Sequence, residues 1–97
     1  MSDQINLEMP PHLDMVYADQ LKSELCAAVN DASIVRIDAS AVAQVGSSCA
    51  QLLLAASRAL DAVNGRLVIA KPTDCFVEAL DDLGFIEDVR KWREDDG

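Results

Sequence analysis

Few residues in this chain are of types that do chemistry, and they rarely stand where chemistry would need them. His12 is the only histidine and follows Pro10-Pro11. A metal centre would need a second His or a Cys at ligand spacing, and none is present. Cys26, Cys49 and Cys75 form no CxxC pair or zinc set, and their odd number argues against a closed disulfide framework. Each lies in an apolar, helix-period context, where a free Cys is expected to act as a small buried hydrophobe. Gly46-Ser47-Ser48 lacks the Lys and second Gly of a phosphate-binding loop. There is no G-x-S-x-G elbow, and nothing in the spacing brings His12 to a serine. The acidic runs Asp81-Asp82, Glu87-Asp88 and Glu94-Asp95-Asp96 read as solvated faces. The expectation is a non-enzyme with no metal and no cofactor.

One stretch remains, Asp38 to Leu54: a strand end, a loop of small residues, and a helix opening at two serines. Either Ser47 or Ser48 could serve as an ordinary N-cap, its oxygen accepting an orphan backbone N–H. The functional reading is a hydroxyl held at the positive end of a helix, where a phosphate is tolerated electrostatically. Phosphorylation adds roughly −1.5 to −2 charges and three acceptor oxygens. On this chain it would alter what docks there more than it would alter the fold.

The elements that must position this stretch follow from periodicity. Ile5 to Met9 alternates apolar and polar residues like a half-buried strand and ends at Pro10-Pro11. Ala18, Leu21, Leu25, Ala28 and Val29 recur at helical spacing between Asp14 and Val29, and Asn30-Asp31 is a fitting stop. Ile34 to Asp38 is a second strand, followed by a polar loop with Val42 and Val45 turned inward. The helix from Gly46-Ser47-Ser48 carries the stripe Cys49, Leu52, Leu53, Ala56, Leu60 and Val63, and Gly65 is expected to close it in the left-handed conformation. Leu67 to Ala70 is a continuous apolar run, the pattern of a strand buried on both faces. Pro72-Thr73-Asp74 opens a third helix with the stripe Phe76, Val77, Leu80 and Leu83, ended by Gly84. A short strand or helix is expected through Val89 and Trp92, with Phe85, Ile86 and Trp92 covering the core. Strand and helix in alternation mean an α/β domain with a mainly parallel sheet and right-handed crossovers.

Size and charge narrow the function. Ninety-seven residues suit one domain, with a core over about 5–92 and an acidic tail at 93–97. Hydrophobic residues make up 51% and aromatics 4%, so small aliphatic side chains fill the interior. The net charge of −9 repels phosphate backbones and anionic lipids, which makes nucleic acid and membrane surfaces poor candidates as direct ligands. A basic protein partner fits the surface, as does acidity that serves solubility alone. No signal-peptide profile and no apolar run of membrane-spanning length is present, so a cytoplasmic location is expected.

Taken in order, these motifs resemble the STAS domain family, the sulfate-transporter and anti-sigma-factor-antagonist fold. The likeness rests on Ile34 to Val42, Val45 to Cys49, Gln51 to Leu54, Gly65 to Pro72, and Ala79 to Phe85, covering about residues 30 to 90. It implies an α/β fold with a mainly parallel sheet of about four strands and helices packed on it. The family's loop pattern is Asp-Ser-Ser/Thr-Gly, and the serine after the Asp is the phosphoacceptor in anti-sigma-factor antagonists. That serine falls on Ser47, with Ser48 beside it. Gly46 replaces the Asp and Cys49 replaces the Gly.

The resemblance implies a binding module for a histidine-kinase-like anti-sigma factor with Ser/Thr kinase activity, held when Ser47 is unmodified and released when it is phosphorylated. The implied contact surface is Gln44, Gly46, Ser47, Ser48 and Gln51, rimmed by Asp38 and Ser40. Other single-domain members serve as accessory subunits docking on the ATPase of ABC-type lipid transporters, or accompany chemotaxis systems. Gly46 suits those versions equally. A small-ligand binder or enzyme using the crevice at the strand ends would need a Gly-rich first loop or an acid–base pair, and the chain has neither.

Overall fold

The structure is a computed structural model that describes residues 4–93. Three strands, β1 (Gln4–Glu8), β3 (Ile34–Asp38) and β5 (Arg66–Ala70), form a parallel sheet in the order β1-β3-β5. Between them run β2 (His12–Leu13), α1 (Met15–Asp31), β4 (Gln44–Val45) and α2 (Ser47–Asp61). Helices α3 (Asp74–Asp82) and α4 (Ile86–Trp92) follow. Among the described residues the sheet therefore has three strands, where about four are expected. Strands β2 and β4 pair separately as a two-residue parallel ladder that no periodicity announces.

Register explains the core. Ile5, Val35 and Leu67 stand side by side across the sheet, as do Leu7, Ile37 and Ile69. Alternation puts both rows on one face, packed into the apolar cluster with Leu21, Leu25, Leu53 and Leu60 from the helices. The opposite face carries Asn6, Arg36 and Val68 in one row and Glu8, Asp38 and Ala70 in the next. Leu67 to Ala70 is buried throughout, as a continuous apolar run requires. On the open side of β5, Ile69 pairs with Arg93, so the last described residue extends the sheet by one bridge.

The C-terminal segment is helical and closes the core. Trp92 is buried and donates its indole N–H to the buried Ser57 hydroxyl at 2.9 Å, while Lys91 meets Asp61 at 2.8 Å. Phe85 packs against the cluster half-buried. The acidic residues Glu94-Asp95-Asp96 lie outside the described residues.

Several local expectations need correction. Only Cys49 is buried; Cys26 and Cys75 point outward, because they fall on the solvent sides of α1 and α3. Val63 lies beyond the last turn of α2 and is 61% exposed, and Leu83 sits at the C-cap of α3, also exposed. The left-handed residue after α2 is Asn64 (φ 61°), not Gly65. Gly65 is required for another reason: a Cβ there would run into the Ser33 carbonyl, where β5 enters beside β3. Gly84 does take the left-handed conformation, at φ 88°.

Candidate functional site

The serine loop is held from below by the segment that follows β1. Pro11 offers its carbonyl to the N–H groups of Ala43 and Gln44, at 2.7 and 3.1 Å. The Gly46 N–H donates to Leu13 O at 2.7 Å. The Cys49 thiol, buried under the first turn of α2, donates to Asp14 O at 3.4 Å. Proline carbonyls suit this role, since Pro keeps its acceptor while lacking a donor. These contacts set the N-termini of α1 and α2 next to each other.

Gly46 is the N-cap of α2 and makes no side-chain cap. The N-cap reading of the serines is therefore corrected: Ser47 and Ser48 are the first two helical residues. Both are exposed, and among the described residues neither hydroxyl makes a hydrogen bond. Gln51 is exposed on the next turn. Gln44 is exposed on β4, where its Oε1 lies 3.2 Å from His12 Nδ1 across the two-residue ladder. The structure thus gathers Gln44, Gly46, Ser47, Ser48 and Gln51 around the start of α2. It adds His12, along with Met15 and Val16, which are 80% and 91% exposed at the start of α1.

Asp38 and Ser40 belong to a neighbouring arrangement. The Asp38 carboxylate accepts the Ser40 N–H at 2.9 Å. Hydrogen bonds from the Ser40 hydroxyl and N–H hold the Asp38 carboxyl below its ordinary pKa, with Lys71 and Arg36 acting in the same direction. Asp38 thereby shapes the turn out of β3. Thr73 fastens the far side of this loop: its hydroxyl donates to Val42 O at 2.6 Å and accepts the Phe76 N–H at 3.1 Å, capping α3.

Two ionisable groups near the start of α2 are perturbed. Burial, then the Asp14 carboxylate, pushes the Cys49 thiol above its ordinary pKa, so it stays protonated and is a poor nucleophile. Tyr17, whose hydroxyl donates to Glu24 Oε2 at 2.8 Å, is pushed up to about 12 by burial and by Glu24. Among the described residues no group of three or more His, Cys, Asp or Glu could hold a metal ion. Nor is any described helix long and apolar enough to cross a membrane.

Sequence reasoning missed His12 and Thr73. For His12 the only signal was its place after Pro10-Pro11, which does not reveal a partner 32 residues away. Thr73 was legible as a helix start but not as the tie to Val42.

Comparison with known proteins places this geometry. No curated protein matches the chain by sequence. Among solved structures it is similar to "Structure of the Anti-Sigma Factor Antagonist SpoIIAA in its Unphosphorylated Form", with a TM-score of 0.79 at 18% identity, covering 98% of this chain and 81% of that one. It is also similar to "Structure of the Bacillus Cell Fate Determinant SpoIIAA in the Phosphorylated Form", with a TM-score of 0.75 at 18% identity, covering 98% and 84%. These likenesses establish the fold. The family model described as "Mlab, STAS domain" matches residues 2–87, and on that match the chain belongs to the STAS domain family.

Proposed function

We propose that this chain is a non-catalytic docking module that engages a partner protein through the start of α2, with Ser47 as the residue whose modification controls docking. One observation carries the reading: Ser47 is exposed and unbonded at the mouth of a 15-residue helix, flanked by exposed Gln44 and Gln51. The first N–H groups of a helix have no acceptor within it, so a phosphate on Ser47 would be received by backbone donors and the helix dipole. A partner surface built to pair with the neutral hydroxyl and amides would then face roughly −1.5 to −2 of added charge. The partner class that fits is a histidine-kinase-like anti-sigma factor with Ser/Thr kinase activity. That choice is supported by the fold shared with structures titled as an anti-sigma factor antagonist in unphosphorylated and phosphorylated forms. The reading places the chain in the cytoplasm of a bacterial cell, in transcriptional regulation.

Gly46 supports a second reading. It stands where antagonists carry Asp, and the matching family model is the Mlab version. A constitutive adaptor, docked on the ATPase of an ABC-type lipid transporter or on a chemotaxis protein, would need no phosphoacceptor. In that case Ser47 is only part of the contact surface.

Affinity capture from native-cell extract, comparing wild type with Ser47→Asp, separates the two. A kinase-like partner held by wild type and lost with Ser47→Asp is the outcome expected of the switch. A transporter ATPase or chemotaxis protein held equally by both would replace it with the constitutive reading. Gln51→Lys should weaken binding in either case, and full retention would remove the start of α2 as the contact surface.

A further inference from the structure

Asn64-Gly65 closes the turn between α2 and β5, and its sequence is open to attack by the backbone on a side-chain amide, because glycine has no side chain to shield its nitrogen. Asn6 and Asn30 precede Leu7 and Asp31, whose side chains screen the nitrogen that would react. Asp61, Ala62, Val63 and Asn64 are all exposed, so releasing this turn uncovers no buried side chain. In the closed turn the Gly65 N–H donates to Leu60 O at 2.7 Å, and Asn64 stands in the left-handed conformation at φ 61°. Beyond the turn there is little room. Gly65 lies against the Ser33 carbonyl, and the Arg66 N–H donates to that same oxygen at 2.8 Å.

We propose that Asn64-Gly65 is a self-modification site, gated by the hydrogen bond from Gly65 to Leu60, with water as its co-reactant. The reacting atoms are the Gly65 backbone nitrogen and Asn64 Cγ. While the turn is closed, the proton on that nitrogen is held by Leu60 O. When the turn opens, the nitrogen gives its proton to water and bonds to Cγ. The bond from Cγ to Nδ2 then breaks, and the side-chain nitrogen takes a proton from solvent and leaves as ammonia. Water adds to either carbonyl of the resulting succinimide and breaks that carbonyl's bond to the Gly65 nitrogen, giving aspartate or isoaspartate. In sum one water is consumed and one ammonia released, with no oxidant or reductant. Isoaspartate runs the main chain through Cβ and Cγ, one atom longer than before. Gly65 is held between Leu60 O on one side and Ser33 O on the other, so the longer chain gives up one of these contacts. Either loss loosens the place where Arg66 enters register beside Ile34. Aspartate keeps the backbone length and adds only an exposed charge.

The test incubates the purified full chain in neutral buffer, with and without urea, and follows tryptic peptides by mass spectrometry. Cleavage after Arg58 and Arg66 isolates residues 59–66, in which Asn64 is the one side-chain amide. Conversion of amide to acid is expected there, ahead of the peptides that hold Asn6 and Asn30. Urea frees the Gly65 N–H and should speed the reaction by about tenfold. Equal conversion at Asn6 or Asn30 would overturn the choice of site. So would a folded chain still unmodified after about a hundred half-times of the urea reaction. Equal rates with and without urea would remove the gate. Thr73→Val, beyond the opposite end of β5, lowers the stability of the whole fold and should leave the folded-state rate within about twofold. A rate that climbs in step with the stability lost would move the reaction to the unfolded chain and overturn the local opening. Asn64→Asp should unfold in urea close to wild type, and the isoaspartyl form, separated by chromatography, at a lower concentration. Equal midpoints for the two would overturn the consequence drawn for β5.

Discussion

Gly46 is where this chain departs from the family's loop pattern, and nothing in its backbone demands glycine. Its φ of −86° and ψ of 161° are open to any residue, and a Cβ there would lie 3.4 Å from Leu13 O. Gly46→Asp should therefore fold normally and supply the missing side-chain cap of α2, raising stability by about a few tenths of a kcal/mol in chemical denaturation. Under the switch reading it should also speed phosphorylation of Ser47 by the captured kinase. Two ionisable residues give signed expectations. Asp38 has a depressed carboxyl, so its contribution to stability is present above the ordinary carboxylate range and is lost as pH falls through its folded value. The stability gap between wild type and Asp38→Asn should accordingly close in acid denaturation series. Tyr17, the only tyrosine, has a raised pKa. Its contribution is intact below about 10, the ordinary tyrosine value, and is lost as pH climbs through about 12. Ultraviolet absorbance should find it titrating late, and Glu24→Gln should bring the midpoint down.

Between elements, two side chains act as ties. Thr73 joins the loop after β3 to the cap of α3 with one hydroxyl. Thr73→Val should cost about 1–3 kcal/mol and Thr73→Ser much less, as read by the midpoint of urea unfolding. Ser57 accepts the indole N–H of Trp92 in the interior. Ser57→Ala leaves that donor unmet and should cost about 1–3 kcal/mol by the same measurement. Helices α1 to α3, the three long strands and the core face were legible because each carries a 3.6- or 2-residue period with a stop residue at its end, unlike α4, whose pattern is open between strand and helix. Strands β2 and β4 were not, since two residues hold no period and their pairing comes from the docking of distant loops. The start of α2 at Ser47 and Ser48 was legible from the break in small residues. His12 opposite Gln44 was not, because the pair arises only when β2 is laid beside β4. Cys26 and Val63 were misplaced for separate reasons: Cys26 falls on the solvent side of α1, and Val63 follows the end of α2.

For the molecule as a whole, −9 spread over so small a surface makes approach to any charged partner depend on salt. Association with a basic partner should slow as ionic strength rises while dissociation changes little, which stopped-flow mixing would resolve. The order of the sheet has a consequence of another kind. Strands β1, β3 and β5 neighbour one another in space in the order in which they are made, so the sheet can be laid down strand by strand as the polypeptide leaves the ribosome. The single tryptophan lies in α4 and reaches back to Ser57. A nascent chain halted before α4 would carry every residue of the serine face while lacking the piece that seals the interior. Closure of the interior therefore waits on α4, and the burial of one indole reports that it has occurred.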